Sequence, residues 1–599
     1  MILSASGWRK VFAESGKGQD RSPEIGETNR ALVALIAETF SQYIISKTKK
    51  KSPIILLGMD SRPTGKIISD IALKTMLSFG LEVRFLGITS APEIMAYSRS
   101  SDAFMYISAS HNPIGHNGIK FGLNDGGVLE AGENAKLIAS FKEKCSASNA
   151  LLHAKEITEK AKEKTVEKVY SESFTWKKKA LDYYEKFIRE VITGSKKEKE
   201  QDITFNAIKS FLSEKSLTVL CDMNGSSRCE SIDRSFFKKI GIGFIAINDS
   251  CSQIVHEIIP EPENLVYCQK KMEELHREGK KDILIGYMPD CDGDRGNIVY
   301  WDEKEGKAKA VLAQEVFALS VLAETAYSIW SEKNVKKTRK GEQAVAVNCP
   351  TSMRIEEICK AMDTKVFRAE VGEANVVHLA REKREEGYSV RILGEGSNGG
   401  NITHPSAVRD PLATVFALIK LLTLRDFLSP KGNIEEGLYH MWCEKSGQEK
   451  NYKTDFTLRD ILDSLPQYTT TGVSEKRAVL NVKTEDKGKL KLRFKKLFEN
   501  QWKENSSVLL EKYGIANYIC VTTNGTKEIT GAADWNNGNG GLKIKFQDKD
   551  KNDIAFIWMR PSGTENVFRV LCDVKGRKPN MEKSLLAWET ETLKKADEI

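Results

Sequence analysis

The sequence predicts a multi-domain α/β protein, with three α/β domains built on mixed sheets and a smaller C-terminal α+β domain. Three observations predict it. A chain of 599 residues exceeds what one hydrophobic core supports. Near-continuous apolar runs alternate with helix-like segments, the pattern of parallel or mixed sheets covered by helices. Beyond about residue 470 the pattern opens into more strictly alternating strands.

Taken in order, SPIILLGMD (52–60) reads as a strand ending in a polar turn, GKIISDIALKTMLSFG (65–80) as a helix and LEVRFLGIT (81–89) as the next strand. The Lys/Glu/Ala-rich stretch 140–200, with its amphipathic LDYYEKFIREVI (181–192), reads as helices that end the first unit. LTVLCDMNGSS (217–227), KKDILIGYMPDCDGD (280–294) and YSVRILGEGSNGG (388–400) repeat the strand-then-loop style. DPLATVFALIKLLTLRDFL (410–428) reads as a helix closing a third unit. RAVLNVKTED (477–486), GLKIKFQDKD (541–550) and DIAFIWMRPSGTENVFRVLCDV (553–574) supply strands of the last domain. The expected domains are 1–205, 206–340, 341–470 and 471–599. Each polar motif begins where an apolar run stops, which places it at the carboxyl end of a strand, where ligands bind in α/β sheets.

Composition narrows the function classes. With 40% hydrophobic and 29% charged residues the chain resembles an ordinary globular protein. Its richest apolar stretches, ALVALIAETF (31–40) and VFALSVLAETAYSIW (316–330), are interrupted by Glu and read as buried helix faces, so no membrane partner is expected. The opening MILSASGWRK lacks the apolar region of a secretory signal, and eleven cysteines are scattered without a CxxC pair. The expectation is a reducing, cytoplasmic setting without a disulfide scaffold or zinc ribbon. The net charge of +8 is modest, and the runs SKTKKKS (46–52) and GSKKEKEQD (194–202) lack interleaved aromatics, so no nucleic-acid partner is expected.

Four loops carry chemistry. PDCDGDRGN (289–297) alternates Asp290, Asp292 and Asp294, three carboxylates able to converge on one hard cation. An EF-hand is excluded, because its sixth position is Arg295 and its twelfth is Trp301. Arg295 pairs with the same acids or with substrate. YISASHNPIGHNGIKFG (106–122) sets Ser110 beside His111, with Lys120 downstream; its alternatives are a phosphate-carrying serine and a helix-capping turn. Ser110 lies outside a GxSxG elbow. GMDSRPTGK (58–66) fails the Walker pattern, with six residues between its glycines and Ile67 after the lysine, so a bound nucleotide is not the expected phosphate source. RPSGTEN (560–566) offers Arg560, the hydroxyls of Ser562 and Thr564, and the close approach that Gly563 allows, the parts of a phosphate cradle. Arg569 follows as a weaker candidate. GEGSNGG (394–400) offers Glu395 and Ser397 for sugar hydroxyls or forms a plain surface loop.

Together and in this order the loops resemble those of the α-D-phosphohexomutase family, which contains phosphoglucomutases and phosphomannomutases. SASHNP (108–113) is similar to its phosphoserine loop, DCDGDR (290–295) to its Mg²⁺ loop, GEGS (394–397) to its sugar-binding loop and RPSGTE (560–565) to its distal-phosphate loop. SGWRK (6–10), with Arg9 near the phosphoserine, and GMDSR (58–62) support the resemblance, which spans residues 6–570. Three departures stand out: Cys291 replaces a usual Gly, Asn398 and Gly399 replace Gly–His, and Asn566 and Val567 replace Pro–Lys.

The resemblance implies a four-domain phosphohexomutase-like architecture around a central cleft. It implies Ser110 as the phosphorylated residue and as a metal ligand with Asp290, Asp292 and Asp294. Arg9, His111 and Lys120 would act in catalysis, with Lys120 as general base. Arg295, Glu395, Ser397, Arg560, Ser562, Gly563, Thr564 and Arg569 would bind substrate. The implied cofactors are Mg²⁺ and a hexose 1,6-bisphosphate activator, and the implied partners are small hexose phosphates, with the chain a monomer or homodimer. The implied reaction interconverts glucose 1-phosphate and glucose 6-phosphate, with the mannose phosphates as further substrates. An aminosugar mutase, a hexose-bisphosphate synthase and an inactive sugar-phosphate-binding scaffold are the alternatives.

Overall fold

Ile54–Met59 is apolar along nearly its whole length because it lies inside a sheet covered on both faces; it pairs in parallel with Glu82–Ile88 on one side and Ala103–Ile107 on the other. The computed structural model describes residues 1–599 except Ala5, Pro260, Glu261, Lys337, Asn398, 429–431 and 563–565. The chain divides into two compact units that interleave in sequence: Met1–Leu312 with Gly400–Leu424, and Ala313–Gly399 with Arg425–Ile599.

The first unit carries two mixed sheets. In the six-stranded one, Ala103–Ile107 pairs antiparallel with His116–Leu123, which pairs antiparallel with Gly7–Val11. In the five-stranded one, Thr218–Asp222 lies parallel to Gly243–Ile247 and Ile283–Met288, and Asn297–Asp302 returns antiparallel beside Ile283–Met288. The long helix Glu163–Thr193 packs on Glu82–Ile88 and ends at Gly194 in the left-handed conformation, as its amphipathic stretch 181–192 and the following glycine anticipate.

One helix departs from expectation. The segment 410–428 is helical only over Pro411–Thr423, and Phe427–Leu428 pairs instead as a strand with Ile434–Glu435. The helix also belongs to the first unit rather than to the block 341–470, packing against Glu163–Thr193, Glu198–Glu214 and Ile283–Met288. All thirteen of its residues are buried, which explains why its sequence is apolar all round.

The second unit carries a sheet in which Gln343–Asn348 lies parallel to Lys365–Ala369 and Ser389–Gly394. It also carries a seven-stranded sheet whose described pairs are all antiparallel, centred on Asp553–Pro561 and Val567–Lys575. Three sheets with parallel pairs and this antiparallel one make the multi-domain α/β architecture. The helix Lys487–Tyr513, hidden in a Lys-rich stretch, buries Leu490, Phe494 and Phe498 at four-residue spacing and packs on Pro579–Glu598. Among the described residues no helix is long and apolar enough to cross a membrane.

Candidate active site

The serine loop leaves the carboxyl end of Ala103–Ile107 and returns through His116–Leu123. Ser110 stands in the left-handed region, φ 54°, which non-glycine residues seldom occupy. Its surroundings enforce that geometry. The Ser110 amide donates to Ser108 Oγ at 2.8 Å. Arg62, wholly buried, donates to the carbonyls of Ser110, Asn112 and Pro113 at 2.6 Å each and to that of His116 at 3.1 Å. Asp60 accepts from Arg62 Nε at 3.1 Å and balances its charge. Gly118 lets the neighbouring strand close in, because a Cβ there would lie 2.7 Å from the Ser108 carbonyl and 2.9 Å from Arg9 Cγ. The motif GMDSR therefore supplies the brace of the serine loop.

Ser110 Oγ donates to Asp290 Oδ2 at 2.6 Å, so the serine and the acidic loop meet inside the first unit. Asp290, Asp292 and Asp294 are buried and offer oxygens within 4.8 Å of one another. Gly293, at φ 71°, gives the loop its curl and lies hard against the side chain of Arg228. Asp292 Oδ1 and Asp294 Oδ1 are buried without a hydrogen-bond partner. Three converging carboxylates with unsatisfied oxygens fit a hard divalent cation such as Mg²⁺. Burial, then the charges of Asp292 and Asp294, push Asp290 up to about 8. For Asp292, burial opposes ionisation but Lys120 outweighs it and holds the carboxyl well below its ordinary value.

Lys120 donates to Asp292 Oδ2 at 2.6 Å and lies 4.0 Å from Asp294 Oδ2. Burial would lower its pKa, but the two carboxylates more than offset it, and the ammonium stays charged. Lys120 is therefore an ion-pair partner here, and the general-base role expected of it requires that pair to open. His111 Nδ1 is 3.4 Å from Ser110 Oγ. Arg295 first, then burial, Arg9 and Arg409 hold its imidazole well below the ordinary value, so it is neutral near pH 7. Arg9 lies on Gly7–Val11 opposite Gly118, and Arg295 Nε is 4.0 Å from Asp290 Oδ2. These cations make the pocket around Ser110 suited to an anionic group.

Arg409 donates to Asp294 Oδ2 at 2.9 Å, a contact no motif announced. It immediately precedes Asp410, whose carboxylate caps the helix Pro411–Thr423 and accepts from Tyr184 Oη at 2.6 Å. The nearest sequence signal was the cap itself, an Asp before Pro at a helix start. Cys291, the departure in the acidic loop, packs with Ile114, Ile254 and Ile258.

In the second unit Glu395 follows Ser389–Gly394 and accepts from Asn348 Nδ2 at 2.9 Å and the Gly372 amide at 2.8 Å. Ser397 is half-buried two residues on. Arg560 lies near the end of its strand with Nε 3.1 Å from Glu370 Oε1, and the Ser562 amide donates to the Val567 carbonyl at 2.8 Å. Arg569 is exposed and sits directly across the ladder from Arg560. Gly563, Thr564 and Asn398 lie outside the described residues.

Two family models match the chain: phosphoglucomutase/phosphomannomutase, alpha/beta/alpha domain I, over residues 9–147, and alpha/beta/alpha domain III of the same family over residues 324–434. The chain is 25% identical over 511 residues to a phosphoglucosamine mutase of Methanococcus vannielii, a match covering 84% of this chain and 95% of the relative. It is 27% identical over 350 residues to a phosphoglucosamine mutase of Acetivibrio thermocellus, covering 54% of this chain and 68% of the relative. A solved phosphoglucomutase/phosphomannomutase family protein of Burkholderia thailandensis shares the fold, with a TM-score of 0.57 at 14% identity over 99% of this chain and 96% of that one.

Proposed function

The chain belongs to the α-D-phosphohexomutase superfamily, and from that premise we propose that it interconverts glucosamine 6-phosphate and glucosamine 1-phosphate. It is an enzyme of phosphoryl transfer on a hexose phosphate. The aminosugar is placed first, ahead of the glucose and mannose phosphates expected from the motifs, because the relative matched over 84% of the chain is a phosphoglucosamine mutase. That observation carries the choice of sugar. The choice of chemistry is supported by Ser110 Oγ standing 2.6 Å from Asp290 within a buried group of three aspartates.

In this reading Ser110 carries a phosphoryl group, which its left-handed backbone presents beside the acidic loop. Asp290, Asp292 and Asp294 would hold Mg²⁺, which supplies charge neutralisation at the transferring phosphoryl group. The free sugar hydroxyl attacks phosphorus, the bond from phosphorus to Ser110 Oγ breaks, and a hexose 1,6-bisphosphate results. Return of the other phosphoryl group to Ser110 releases the isomeric monophosphate. A bisphosphate supplied from outside would prime an unphosphorylated Ser110. His111, neutral and beside Ser110 Oγ, would serve the departing serine oxygen by giving it a proton. The hydroxyl proton would pass to Lys120 once its pair with Asp292 opens and it is deprotonated, and Arg9 and Arg295 would face the anionic oxygens. Glu395 and Ser397 contact the sugar, and Arg560, Ser562, Gly563, Thr564 and Arg569 hold the idle phosphate.

The test is turnover of glucosamine 6-phosphate, glucose 1-phosphate and mannose 1-phosphate in parallel, with Mg²⁺ and a trace of the matching 1,6-bisphosphate. A kcat/KM about tenfold higher or more is expected for the glucosamine phosphate, a difference of about 1.4 kcal/mol at the transition state. Preference for glucose would overturn the choice of sugar, accumulated bisphosphate would identify a synthase, and no turnover with Ser110 phosphorylated would leave a binding scaffold.

A further inference from the structure

Arg560 and Arg569 are directly opposed across the antiparallel pair Asp553–Pro561 and Val567–Lys575. Side chains at opposed positions project from the same face, so two guanidinium groups share one patch, and like charges so placed repel. Glu370 lies against Arg560: its Oε1 is 3.1 Å from Arg560 Nε, and its side chain is 5% exposed against 30% for the arginine. The carboxylate is held on both oxygens. Oε1 accepts from the Val371 amide at 2.7 Å, and Oε2 accepts from Thr523 Oγ1 at 2.8 Å and from the Gly541 amide. The Glu370 backbone is tied as well, its amide donating to the Gly525 carbonyl at 2.8 Å. Glu370 cannot turn away without leaving buried donors unpaired.

We propose that Glu370 is a positioning residue of the distal phosphate site: a fixed counter-ion, 3.1 Å from Arg560 Nε but not hydrogen-bonded to it, that holds the guanidinium in place by charge and keeps its terminal amino groups for a phosphate monoester. The inference rests on the reading of 560–569 as the phosphate-binding region. A guanidinium has five N–H donors in a planar fork, and a counter-ion beside Nε leaves the terminal edge for bidentate recognition. The carboxylate also offsets one of the two opposed positive charges, so the patch can form before the phosphate arrives. The brace reaches further through Gly541. The neighbouring Gly538 and Gly540 carbonyls accept from the buried Lys491 Nζ at 2.9 and 2.5 Å, tying this stretch to the helix Lys487–Tyr513. No sequence motif contains Glu370, because its partners lie 153 and 171 positions away.

The experiment is a double-mutant cycle in the full-length enzyme with Glu370→Gln and Arg560→Lys, reading kcat, KM for the preferred sugar monophosphate and the dissociation constant of inorganic phosphate. Glu370→Gln is expected to raise KM and weaken phosphate binding about tenfold with kcat within about threefold, and to lower the melting temperature, because its amide NH₂ must face a backbone N–H that the carboxylate accepted from. In the double variant the two effects should fail to multiply. Glu370→Asp, which keeps the charge, should recover part of the loss. If Arg560→Lys raises KM but Glu370→Gln does not, or if the effects multiply fully, the positioning role is wrong. If Arg560→Lys itself leaves KM and phosphate binding unchanged, the phosphate-site reading fails and the inference fails with it.

Discussion

The serine loop and the proposed phosphate loop each follow an apolar strand and each has an arginine at hand, yet the two arginines are engaged in opposite ways. Arg62 is wholly buried, and its guanidinium is committed to Asp60 and to four backbone carbonyls of the serine loop. Arg560 keeps 30% of its side chain exposed and has one polar partner among the described residues, Glu370. One arginine is consumed in shaping a loop; the other pairs with a single carboxylate, as the proposed phosphate site requires. A reacting serine must be held within a fraction of an ångström, whereas a recognition site needs donors that remain unfilled until substrate comes.

The comparison breaks most completely at the serine itself. Ser110→Ala should reduce turnover on the order of 10⁴-fold or more, with folding unaffected, as steady-state kinetics and thermal melting would record. Retained turnover would remove the reacting loop from one side of the contrast. Next comes a matched pair. Arg62→Lys keeps the charge but loses the fork, and it should lower both kcat and unfolding free energy, the latter by about 3 kcal/mol. Arg560→Lys should raise KM with little change in stability. Denaturant unfolding of both variants would expose any reversal.

The acidic loop sharpens the contrast through pH. Burial and its neighbours raise Asp290 to about 8 in the cation-free protein, so the folded state holds a proton that the unfolded chain releases at about pH 4. Stability from this group is fully present below the unfolded value and is lost as pH rises through about 8. Measured against Asp290→Asn, a reference in which the opposite pulls of His111 and Lys491 cancel, the melting temperature of the cation-free protein should fall between about pH 5.5 and 8.5, and added Mg²⁺ should raise it more at the higher pH. Equal shifts at both values would count against the triad as the cation site. The smallest effect belongs to Cys291→Gly, which removes a side chain packed among isoleucines: about 1–2 kcal/mol in stability, with the Mg²⁺ dependence of turnover unchanged.

Much of the arrangement was legible where chemistry is local. Alternating aspartates around one glycine predict converging carboxylates, and Asp290, Asp292 and Asp294 do converge. Apolar runs of strand length predict buried parallel strands, and Ile54–Met59 and Ile283–Met288 are such strands. What escaped depends on partners far along the chain. Arg409 reaches Asp294 across 115 positions, and Arg62 reaches the Ser110 carbonyl across 48. The charge of Lys120 was equally hidden, since it follows from Asp292, 172 positions distant. The helix Lys487–Tyr513 was missed for another reason, its narrow apolar stripe being diluted by the lysines around it.

The interleaving of the two units bears on how such a chain can be divided. Because Gly400–Leu424 folds with the first unit while both its flanks fold with the second, the polypeptide passes from one unit to the other three times. A fragment ending at Leu312 would look complete by sequence, yet it would lack Arg409 beside Asp294 and Asp410 beside Tyr184. The surroundings of the acidic loop are thus assembled from both sides of the 394–400 loop in sequence, and a cut between Leu312 and Gly400 separates them.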